Sequence, residues 1–141
     1  MERATEKFRR QHEELGRLAA GLLELVGKRP LPTDELQSTL SKIAGVLKVH
    51  AAMEDEALYP RLLEHEDPSV RALAREFVER FGAAYRGFLA FRARYTTVDQ
   101  IASAPDELER ETRAVVQLLG ERITEENGVL YERVDRLFPT G

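Results

Sequence analysis

Residues 47–62 read LKVHAAMEDEALYPRL, and the way His50 and Glu54 are accommodated in that stretch decides the fold. Leu36, Leu40, Ile43 and Leu47 lead into it at alternating steps of four and three, the spacing of a helix with a single apolar seam. His50 and Glu54 prolong that seam, one helical turn apart. Two ionisable groups left unsatisfied among leucines cost several kcal/mol, so the chain must supply a metal ion, a hydrogen-bond network or a counter-charge.

Working outward, the same kind of interruption recurs. Residues 2–26 carry Phe8, Leu15, Ala19, Leu22 and Val26 in a heptad-like rhythm, and His12 fills the vacant seam position. Gly27 and the proline-stiffened KRPLPT end this first helix. Thr33 before Asp34 and Glu35 reads as the N-cap of the second, which runs to about residue 66 with a kink or break at Pro60. Asp67-Pro68 opens a third helix whose inward face is Leu73, Phe77, Phe81, Tyr85 and Phe88, with no histidine. After Tyr95 the segment TTVDQIASA is a loop with at most one short helical turn. Pro105 starts the fourth helix, whose stripe from Leu108 to Leu137 is interrupted by Glu126.

An internal echo ties the second helix to the fourth. Residues 50–62, HAAMEDEALYPRL, align at a shift of 72 with residues 122–134, RITEENGVLYERV, pairing Glu54 with Glu126 and Tyr59 with Tyr131. His50 pairs with Arg122. In an antiparallel up-down-up-down four-helix bundle, residues equidistant from a turn lie level, because each helix rises about 1.5 Å per residue. That rule puts His12, His50 and Glu126 at one height and brings Tyr85 to the same layer.

The totals fit this all-α reading. A chain of 141 residues forms one domain over residues 1–141 with a single core. A net charge of -4 with interspersed signs leaves no basic patch, so neither nucleic acid nor membrane is an expected partner. The absence of cysteine removes disulfides and thiolate chemistry, and confines any metal site to imidazole and carboxylate. No apolar run reaches a membrane span and the N-terminus is too charged for a signal peptide, which makes the cytoplasm the expected location. No nucleophile–base pair or phosphate loop argues for a hydrolase or transferase.

A histidine in the first helix, HAAME followed by LYP in the second, and ITEENGVLY in the fourth together resemble the hemerythrin-like, or HHE cation-binding, domain over essentially the whole chain. The resemblance implies a four-helix bundle around a di-iron centre of five histidines and two carboxylates that binds or senses oxygen, or handles nitric oxide or iron. Carried over by position, it makes His12, His50, Glu54 and Glu126 the metal ligands. The third helix lacks its two histidines, and Arg122 stands where the fourth would supply another. A mononuclear site for iron, with manganese or zinc as alternatives, therefore fits better than a di-iron one, with water or Tyr85 completing it; the other, and leading, reading of Tyr85 is a core tyrosine whose hydroxyl reaches the polar layer. Its partner beyond the metal would be a diatomic gas, in an oxygen, nitric oxide or redox response. The rival reading is a metal-free structural, interaction or small-ligand module in which Arg122 bridges Glu54 and Glu126, with spare room beside Gly82, Ala83 and Ala84.

Overall fold

The computed structural model describes residues 2–139. Their regular structure is helical throughout, and no helix is long and apolar enough to cross a membrane. Helix α1 covers Glu6–Val26. Helix α2, Thr33–Met53, runs through a π-helical segment, Glu54–Leu58, into α3, Tyr59–Leu63. Then come α4, Pro68–Arg94, the short α5, Val98–Ser103, and α6, Pro105–Glu125, which passes through a second π-helical segment, Glu126–Leu130, into α7, Tyr131–Leu137. Helix α1 packs on α2 and α6, and α4 packs on α2, α3 and α6, so the long helices close into an all-α bundle.

The apolar seams of α1 and α2 are buried as predicted apart from a half-buried Ala19, whereas Leu73 and Tyr85 of α4 and Val115, Val116 and Ile123 of α6 are only partly buried. Leu15, Leu22, Leu36, Leu40, Leu47, Phe88 and Leu119 form one hydrophobic cluster, whereas Phe8, Leu58, Leu62, Val70, Phe77, Leu130 and Val134 form another. His12, His50, Glu54 and Glu126 are all buried between these clusters. The polar layer is thus walled by hydrocarbon at both ends.

Helix boundaries follow local chemistry with two differences. Asp67 caps α4 as expected, its carboxylate accepting the Ser69 N–H at 2.9 Å. Thr33, read as an N-cap, is instead the first helical residue; Pro32 precedes it and no side chain caps the end. The TTVDQIASA segment holds α5, closed by a reciprocal Thr97–Gln100 capping box.

The expected break at Pro60 takes the form of the π-helical segment just before it. Proline cannot be its sole cause, because the segment at Glu126–Leu130 occupies the equivalent place of the repeat and is followed by Glu132 rather than proline. What the two share is a buried glutamate at the start and a buried tyrosine immediately after. The Tyr59 N–H bonds the Glu54 carbonyl, and the Tyr131 N–H bonds the Glu126 carbonyl, each a five-residue step. Such a step bonds residue i+5 back to residue i, where an α-helix bonds residue i+4. Each tyrosine is thereby swung toward the layer that its glutamate occupies.

Candidate metal centre

Each polar seam residue reaches the layer from a different part of the chain: His12 from α1, His50 from the end of α2, Glu54 and Glu126 from the first residues of the two π-helical segments. His12 Nε2 lies 3.2 Å from His50 Nε2 and 2.9 Å from a Glu126 oxygen. One donor atom from each of His12, His50 and Glu126 falls within 4.8 Å of the others. Glu54 stands at the edge of this trio, with Oε1 3.2 Å from His50 Nε2.

The outer faces of both imidazoles are held by amides that do not interrupt any apolar seam. His12 Nδ1 is 2.8 Å from Asn127 Oδ1, and His50 Nδ1 is 2.6 Å from Gln11 Oε1, whose amide nitrogen is turned to the Met53 sulfur. An amide oxygen only accepts, so each Nδ1 carries the hydrogen and each Nε2 presents a lone pair inward. Two lone pairs face each other at 3.2 Å, and beside them Glu54 Oε1 and both Glu126 oxygens have no hydrogen-bond donor. An arrangement of acceptors alone is repulsive, and it becomes favourable when a cation sits among them.

A metal ion fits that requirement. Two imidazole nitrogens that each bind one ion at about 2.1 Å, at a near-tetrahedral angle, stand roughly 3.4 Å apart, close to the separation found here. The donors are neutral nitrogen and anionic oxygen, which suits iron, manganese or zinc. Without a metal, a proton must serve. Burial lowers the His50 pKa, but Glu126 and Glu54 outweigh it and hold the imidazolium up to about 9. Burial raises Glu54 above the usual carboxylate range, while His12 and His50 overcome burial at Glu126 and hold it below that range.

Two sequence expectations are corrected here. Tyr85 is only partly buried and packs on Phe81, with ring centroids 6.2 Å apart, and it is Phe81 that faces His50, at 5.5 Å. Helix α3 ends at Leu63 rather than near residue 66, so the turn is centred close to residue 65 and the level position on α4 moves back one helical turn. Arg122 does not join the carboxylates either. Its guanidinium pairs with Glu125 at 2.9 Å, and among the described residues no ion pair links it to Glu54 or Glu126. Turned toward the bundle surface, it keeps part of the hydration that a fully buried guanidinium forfeits.

Tyr131, which the sequence marks only as the counterpart of Tyr59 in the repeat, lies at the centre. Its hydroxyl donates to Glu54 Oε2 at 2.7 Å and lies 3.4 Å from both Nε2 atoms. Tyr59, its counterpart in the repeat, is buried with its hydroxyl lacking a hydrogen-bond partner, and burial together with the Glu54 and Glu126 charges raises its pKa. The glutamate-to-tyrosine spacing shared by the two repeats was the available signal.

An apolar cavity of about 350 Å³ reaches His12 between α1 and α6, lined by Leu15, Ala19, Leu47, Val116, Leu119 and Ile123 among others. None of Gly82, Ala83 and Ala84 lines it.

The outer amides give a direct test. Replacing Gln11 with Leu, which cannot accept the His50 Nδ1 hydrogen, should weaken metal affinity by about 10–100-fold in calorimetric titration. Full affinity in that variant would mean that the 2.6 Å bond does not orient the ring.

A helical bundle with histidines and glutamates meeting at one buried level defines a class of potential metal-binding domains. Residues 3–134 match the hemerythrin HHE cation-binding domain, and the chain belongs to that family. No curated protein and no solved structure matches it.

Proposed function

We propose that this protein binds one non-haem metal ion, iron before manganese or zinc, and uses it in an oxygen, nitric oxide or redox response. The observation that carries the reading is the pair of imidazole Nε2 atoms, locked inward by Asn127 and Gln11 and facing donor-free oxygens of Glu126 and Glu54. His12, His50 and Glu126 would hold the ion, with Glu54 beside them. Bound iron would supply one-electron redox chemistry and an affinity for diatomic gases.

The rest is done by the chain itself. Phe81 and Phe8 shield the His50 ring, and the two core clusters keep bulk water from the layer. The apolar cavity ending at His12 suits a small uncharged molecule far better than a hydrated ion. A second metal lacks donors, because α4 presents phenylalanine at this height and Arg122 points elsewhere, which favours a mononuclear centre. The metal-free alternative loses the guanidinium that was to replace the metal.

The test is anaerobic loading with iron(II) followed by metal analysis and exposure to nitric oxide. One equivalent of iron per chain, with an electronic spectrum that changes on exposure, is expected. A chain that takes up no iron, manganese or zinc under these conditions refutes the reading.

A further inference from the structure

We propose that the Tyr131 phenol oxygen is itself a ligand of the metal at this centre, bound as phenolate. The inference rests on the metal-binding reading above and adds a residue type that neither the family match nor the histidine and carboxylate cluster includes.

The geometry singles out this hydroxyl. It is 3.4 Å from His12 Nε2 and 3.4 Å from His50 Nε2, so it stands over the gap into which both nitrogens point. The ring has no freedom to leave. It is fully buried, its plane lies 20° from that of His12 with centroids 5.2 Å apart, and Phe8 packs on it at 5.8 Å. The five-residue step from Glu126 places the side chain there, and with a four-residue step it would face elsewhere.

The trio of His12, His50 and Glu126 supplies three donors, and iron or zinc in such sites takes four or more. Glu54 fills an edge position, and α4 offers only Phe81. Tyr131 offers an oxygen already in place beside both nitrogens.

Binding balances without any further reactant. The O–H bond of Tyr131 breaks as the metal–oxygen bond forms, its proton moves along the existing 2.7 Å hydrogen bond to Glu54 Oε2, and the proton that His50 carries in the metal-free chain is released to solvent. Glu54 Oε1 remains available to the ion. No electrons are transferred in this step.

A phenolate on iron(III) gives a charge-transfer band in the visible, which imidazole and carboxylate ligands do not. The experiment loads the full chain with iron(II), oxidises it with one equivalent of ferricyanide, removes the oxidant, and records iron content, visible absorption and resonance Raman spectra. The wild type and Tyr59→Phe should show the band with phenolate vibrations, and Tyr131→Phe should lose both. Tyr131→His keeps a donor at the position and should retain iron while lacking the band, which separates ligation from a structural role. An iron-loaded wild type without the band, or a band that survives in Tyr131→Phe, overturns this assignment alone. A wild type that binds no iron overturns the metal-binding reading along with it.

Discussion

Changing His50 to alanine is expected to do two measurable things: to lower metal affinity by more than about 100-fold and to destabilise the metal-free chain by about 3–5 kcal/mol near neutral pH. The first follows from donor count. His12, His50 and Glu126 form the trio, and a two-donor remnant is a poor chelator. The second follows from charge. In the metal-free protein the protonated His50 is the cation beside Glu54, at 3.2 Å, and Glu126, at 3.7 Å, and both carboxylates are buried. Removing it leaves them without compensation. His65→Ala is the control, because that ring sits in the α3–α4 connection, where its Nδ1 accepts the Asp67 N–H, and is not among the clustered ligand candidates. Metal analysis and urea denaturation of both variants decide the matter. Unchanged metal content in His50→Ala would remove His50 from the site.

The stability of the metal-free chain should also fall as pH rises from 6.5 to 9. His50 has a higher pKa in the folded chain, about 9, than its ordinary 6.5, so folding takes up a proton in this interval. The stabilising contribution is complete below 6.5 and disappears as pH passes through 9. The displacement corresponds to a loss on the order of 3 kcal/mol across the window. Glu54, raised by its burial, acts with the same sign. Urea midpoints followed across the interval provide the measurement. The decline should vanish in His50→Gln and in metal-loaded protein, where the ion takes the place of the proton. A flat profile for the metal-free wild type would show that His50 is neutral in the folded state.

The parts of this centre that could be read from sequence are those that break a pattern. His12, His50 and Glu126 each interrupt an apolar seam, and a charged group on a buried face is conspicuous whatever its exact height. Tyr131 breaks no pattern, since tyrosine is an ordinary core residue and its α-helical phase points it away from Glu126. Only the five-residue step at the π-helical segment brings it in, and nothing in the periodicity of the fourth helix announces that step. Gln11 and Asn127 escaped notice for the opposite reason, lying next to a ligand in sequence on faces that look solvated. Tyr85 was misplaced because a turn centre off by two residues moves the partner position by a whole turn. Arg122 shows that a long side chain cannot be assigned by helix phase alone, because its guanidinium reached Glu125 rather than Glu126.

The complete burial of the four ionisable side chains also governs residence time. Each is at most 1% exposed, and the cavity that reaches His12 is walled by hydrocarbon. A hydrated ion crosses hydrocarbon poorly, so an ion bound there would exchange through a partial opening of the bundle. Each ion bound also makes that opening rarer, since ligation stabilises the closed form. An ion held by these side chains would be poorly suited to release on demand.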